Sequence, residues 1–81
     1  MENELVRLKK EVSDRIYSRL QEKFDGNNRE LARRVGCHEK TIRTIFAYKQ
    51  DITLGLLFRI CKALDITVSE LLDGLEFNPE E

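Results

Sequence analysis

The chain has no tryptophan, one histidine, one proline and two cysteines among its 81 residues. Each scarcity removes a class of protein. Two cysteines do not build a disulfide framework. Cys37, Cys61 and the lone His38 fall short of the about four ligands of a structural zinc site, and they lack CxxC spacing, so no metal is expected. The thiols read as small core residues. No Gly-rich phosphate loop, HExxH or GxSxG motif is present, and the carboxylates lie among lysines and arginines at helical spacing. Neither an enzyme nor a cofactor is expected. The longest apolar stretch, Leu54–Phe58, is interrupted by Gly55 and is far short of the ~20 residues of a membrane span. The N-terminus MENELVRLKK carries charges where a signal peptide needs an apolar run. A cytoplasmic protein without a membrane partner is expected.

Net charge is lacking too. At −1 the chain shows none of the basic excess typical of nucleic-acid binders. The average conceals a polarity. Arg29, Arg33, Arg34, Lys40, Arg43 and Lys49 outnumber Glu30 and Glu39 between residues 29 and 50, a balance of +4. Residues 51–81 carry Arg59 and Lys62 against seven acids, a balance of −5.

What is present is apolar periodicity near 3.6 and no period-2 alternation, so the chain reads as all-α. Leu5, Leu8, Val12, Ile16, Leu20 and Phe24 define a first helix over about residues 4–24. Asp25-Gly26-Asn27 ends it, with Gly26 as the left-handed stop. Asn27 starts a second helix, with Glu30 placed for a capping box. Leu31, Ala32 and Val35 are its apolar face, and Gly36 closes it.

A third helix over about residues 39–48 turns Ile42, Ile45 and Phe46 inward, with His38 near its N-cap. Lys40, Arg43, Thr44 and Ala47 form a second stripe without a large apolar side chain. Thr53 caps a fourth helix through about Leu64, with Leu54, Leu57, Phe58, Ile60, Cys61 and Leu64 expected inward. Thr67 and Glu70 make a capping box on a fifth helix, whose apolar face is Val68, Leu71 and Leu72, and Gly74 ends it. The expected fold is a compact five-helix bundle. Its expected core is rich in Leu and Ile, with Phe24, Phe46 and Phe58 as the large pieces.

Two short helices around a Gly turn make a helix-turn-helix. Counting Asn28 as one, Leu31 is fourth, Ala32 fifth, Val35 eighth, Gly36 ninth, Ile42 fifteenth and Ile45 eighteenth. Small Ala32 lets the helices cross closely, Gly36 permits positive φ, and Val35, Ile42 and Ile45 seal the angle. RELARRVGCHEKTIRTIF followed by ITLGLLFRICKALDITVSELL resembles the Cro/cI-type, lambda-repressor-like helix-turn-helix family. The resemblance spans about residues 16–73, and ICKALDITVSELL is its more specific half.

That resemblance implies a five-helix domain, formed by residues 12–74, whose third helix lies in the DNA major groove. Residues 1–11 form an N-terminal helical extension, and residues 75–81 an acidic tail. By position, Glu39, Lys40, Arg43 and Thr44 stand where members touch base edges. Asn28 stands where the family usually has a phosphate-bound Gln. Arg29, Tyr48, Lys49 and Gln50, at helix ends and in the following loop, are placed for phosphates. Arg33 and Arg34 read as solvated charges. Glu39 also suits the helix dipole in its own right, and Tyr48 also suits a partly buried site. The sequence departs from the family at Tyr48, where many members have Gly, at Phe46, where many have Glu, and at Gly26, where an apolar residue is usual.

Relatives of this kind bind palindromic operators as two-fold dimers. A homodimer on double-stranded DNA is therefore expected, and the function implied is a sequence-specific transcriptional regulator acting as a repressor. Leu71, Leu75 and Phe77 are the preferred dimer contacts, and Leu5, Leu8 and Val12 are the alternative. The competing reading is an antitoxin or other interaction module that binds a protein partner through the acidic C-terminal side.

Overall fold

The computed structural model describes residues 3–76. Five helices follow in order: α1 (Glu4–Phe24), α2 (Asn28–Val35), α3 (Glu39–Phe46), α4 (Leu54–Ala63) and α5 (Val68–Leu71). No strand occurs among the described residues, so the fold is the all-α five-helix bundle the periodicity predicts. α1 runs unbroken through residues 11 and 12, so the N-terminal extension is the first part of that helix.

Side-chain caps set most of the boundaries. Asn3, Asn27, Thr53 and Thr67 each accept a hydrogen bond from a backbone N–H in the first turn that follows. His38 occupies the same position before α3 and makes no such bond. The capping box at Thr67 and Glu70 is complete. The one expected at Asn27 forms only its first half. Glu30 turns its carboxylate to Arg33 and Arg34, at 2.5 and 2.7 Å, instead of back to the cap. α1 ends at Phe24 as expected; Gly26 is left-handed at φ 76°, and Asp25 before it is left-handed too, at φ 53°. α3 stops at Phe46, and Tyr48 lies beyond it in the left-handed region at φ 62°.

The core is aliphatic. Ile16, Leu20, Leu31, Ile42, Ile45 and Ile60 are almost wholly removed from water, each worth about 1.5–3 kcal/mol relative to exposure. α2 packs on α3 and α4 while α1 backs α2, α3 and α5. Arg15 on α1 donates through Nη1 to the Leu71 and Asp73 carbonyls, at 2.9 and 2.7 Å, and so holds α5 down.

Two expectations about burial fail. Phe58 is 57% exposed and Leu54 is 68% exposed. α4 carries more apolar residues than one face can hold, and α2 and α5 cover the face of Leu56, Ile60, Cys61 and Leu64 instead. At 100° per residue, Phe58 stands about 130° round the helix from the middle of that face. Phe24 and Phe46 are only half-buried at the edge of the core; the Phe46 ring meets Tyr17 edge-on at 5.2 Å.

Leu71 is 2% exposed in the core of its own protomer, as its place on the apolar face of α5 predicts, and so offers little surface to a second chain. Leu75 is half-buried, and Phe77 lies outside the described residues. Of the two cysteines, Cys61 is buried and Cys37 half-buried, both as free thiols. Burial pushes both thiol pKa values up, away from the reactive thiolate.

Candidate nucleic-acid interface

α2 and α3 are too short to be stable alone. They are joined through Gly36, which sits at φ 85° and donates to the Ala32 carbonyl at 2.8 Å. A Cβ there would approach nothing closer than Arg59 Nη1 at 3.7 Å. Glycine is thus required for backbone conformation and not for space. Ala32, Val35, Ile42 and Ile45 are all buried, which locks α3 against α2 by its inner face and leaves its outer face open.

That outer face brings together the sequence-predicted residues. Lys40 and Arg43 are exposed, Glu39 and Thr44 half-buried. Arg43 Nη1 donates to Glu39 Oε2 at 3.1 Å, one turn back along α3. The Thr44 hydroxyl lies 2.9 Å from the Thr41 carbonyl and 2.7 Å from Gln50 Oε1. Gln50 is therefore coupled to the stripe, a link that sequence spacing did not reveal.

The flanks lie at the two ends of the helix-turn-helix. Asn28 begins α2, with its Oδ1 buried and unpartnered among the described residues. Arg29 beside it is exposed. Lys49 and Gln50 are exposed in the loop after α3. Tyr48 is half-exposed, and its hydroxyl donates to Asp14 on α1. That bond and the carboxylate charge push its pKa up. The structure thus ties Tyr48 to α1, an anchor with no signal in the sequence pattern.

The basic segment is less uniform than its sequence. Glu30 pairs with both Arg33 and Arg34, and their guanidinium groups hold its pKa down at about 2. Both arginines are thereby drawn along α2, and the Arg34 guanidinium also lies 4.9 Å from the centre of the Phe24 ring. Among the described residues, Arg29, Lys40 and Lys49 make no ion pair.

Geometry and family agree. A family model of the Cro/C1-type helix-turn-helix DNA-binding domain matches residues 15–78. The chain belongs to this family. A similar solved structure is the crystal structure of a hypothetical transcription factor, NHTF, from Neisseria. It is 19% identical, with 89% of this chain and 83% of that chain covered at a TM-score of 0.74; at that identity the likeness is one of fold. No curated protein matches the chain. Among the described residues, no helix of this domain is long and apolar enough to cross a membrane. No group of three or more His, Cys, Asp or Glu gathers there to hold a metal ion.

Proposed function

We propose that the protein is a transcriptional regulator that binds double-stranded DNA in a sequence-specific way, with α3 in the major groove. The observation that carries this reading is the outer stripe of α3. Glu39, Lys40, Arg43 and Thr44 share one open face between the start of α2 and the loop of Lys49 and Gln50. Arg43 and Lys40 suit guanine O6 and N7, at about 1–3 kcal/mol of discrimination for a good bidentate contact. Thr44 suits a thymine methyl, and Glu39 suits a cytosine amino group. Asn28, Arg29, Lys49 and Gln50 reach phosphates and fix the register without reading sequence. Regulation is by occupancy, without catalysis: a bound domain blocks its site, which makes repression the natural outcome.

The functional unit is a homodimer on a palindromic operator. With Leu71 in the core, the face best suited to a second copy is Leu54 and Phe58, the two most exposed large apolar side chains among the described residues. They lie one turn apart on α4, the element that follows the loop from α3.

Selection of duplexes from random sequence, with footprint length recorded, tests the reading. The expected product is a palindrome whose half-sites lie about one helical turn apart. Failure to enrich any sequence, together with a stoichiometric protein partner on purification, would favour the interaction-module reading instead.

A further inference from the structure

One side of α1 meets the loop after α3 at three points. Lys9 Nζ donates to Asp51 at 3.0 Å, the Lys10 ammonium lies 5.4 Å from the centre of the Tyr48 ring, and the Tyr48 hydroxyl donates to Asp14. Tyr48 needs such holding. Its φ of 62° is a region that disfavours a side chain, and at 48% exposure its ring is not fixed by packing alone. The next two residues connect straight back to α3. Lys49 N–H donates to the Thr44 carbonyl at 3.0 Å, and the Thr44 hydroxyl donates to Gln50 Oε1 at 2.7 Å.

Asp14 is an exposed carboxylate facing this loop. A negative charge on a DNA-facing loop opposes phosphate, so its use there is structural: it accepts the Tyr48 hydroxyl, whose ring also lies against Lys10, one turn before Asp14 on α1.

We propose that Asp14 is a positioning residue for DNA binding. Acting through Tyr48, it holds residues 47–51 in the conformation that presents Lys49 and Gln50 beside α3. The inference rests on the DNA-reading role proposed above for that loop.

The test uses the full chain and the duplex obtained by selection, with Asp14→Ala, Tyr48→Phe, the double variant and Asp14→Asn. Asp14→Ala and Tyr48→Phe should each weaken binding about five-fold, the effect of one lost hydrogen bond. The double variant should be no weaker than either single one, because both remove the same bond. Asp14→Asn keeps an acceptor and should restore most of the affinity. The sign discriminates: loss of a negative charge by itself tightens DNA binding, whereas loss of the clamp weakens it. In the free protein, exchange of the Lys49 amide should rise about five-fold in Asp14→Ala, while α2 amides stay unchanged. Binding of Asp14→Ala as tight as or tighter than the parent, or unchanged Lys49 exchange, overturns the proposal. If the parent chain selects no duplex, the DNA-reading role fails by itself, and the Lys49 exchange still judges the clamp.

Discussion

Arg43 and Glu39 face each other across one turn of α3, with Nη1 and Oε2 3.1 Å apart. The pair is exposed, so it contributes only about 0.2–1 kcal/mol. A bidentate contact with guanine is worth about 1–3 kcal/mol of discrimination. On the reading proposed above, a guanine edge outcompetes Glu39 for the guanidinium and leaves the Glu39 carboxylate free for a cytosine amino group.

Arg43→Ala should relax sequence preference, with loss of about 1–3 kcal/mol on the selected site and little on bulk DNA. Lys49→Ala should weaken all sequences alike and reduce the salt slope by about one. Titrations of specific and random duplexes over a salt series separate the two. Equal losses on both duplexes for Arg43→Ala would remove it from the base-reading set.

Gly36 and Gly55 should respond to alanine with opposite signs. Gly36 is at φ 85° with room for a Cβ, so Gly36→Ala should destabilise by about 1–2 kcal/mol through the backbone alone. Gly55 lies within α4 with nothing within 4 Å of a Cβ. Gly55→Ala should therefore stabilise by about 0.5–1 kcal/mol. Thermal melts of the two variants should shift in opposite directions, by about 4–8 °C per kcal/mol in a domain of this size.

The Glu30 carboxylate is lowered from 4.5 to about 2 by hydrogen bonds from Arg33 and Arg34. A depressed carboxylate stabilises the fold above its unfolded pKa, and that support fades as pH falls through the folded value. The difference in melting temperature between the parent and Glu30→Gln should thus be greatest near neutrality. It should shrink between about pH 4.5 and 2. A difference that does not vary with pH would mean that the carboxylate's charge is irrelevant to folding.

Leu54→Asp with Phe58→Asp should yield a folded monomer. Both side chains are exposed within the protomer at 68% and 57%, so replacing them leaves the core intact. Sedimentation equilibrium reads the mass and circular dichroism the fold. A dimer mass in the double variant would move the interface elsewhere, with Leu5 and Leu8 next in line.

The helices and the motif were legible because their signals are local. Caps at Asn27, Thr53 and Thr67, the Gly36 turn and the 3.6-residue periodicity act within a few positions of one another. They determine where the chain is helical and which residues share the α3 stripe. The net charge of −1 is the sum of a basic excess that coincides with the helix-turn-helix and an acidic one behind it.

Tertiary structure decided what local signals leave open. α4 is apolar nearly all round, so the phase of its buried face is set by what α2 and α5 cover; Leu54 and Phe58 are left outside. The short α5 is held against α1 by Arg15, 56 residues from the Leu71 carbonyl it donates to. Tyr48 took a glycine's conformation because Asp14 and Lys10, on another helix, compensate for its strain. The sequence alone determined the helix-turn-helix and its polar α3 stripe. Only the folded chain decided which surfaces remain for a partner and what holds the loop beside that stripe, because both depend on contacts between residues far apart in the chain.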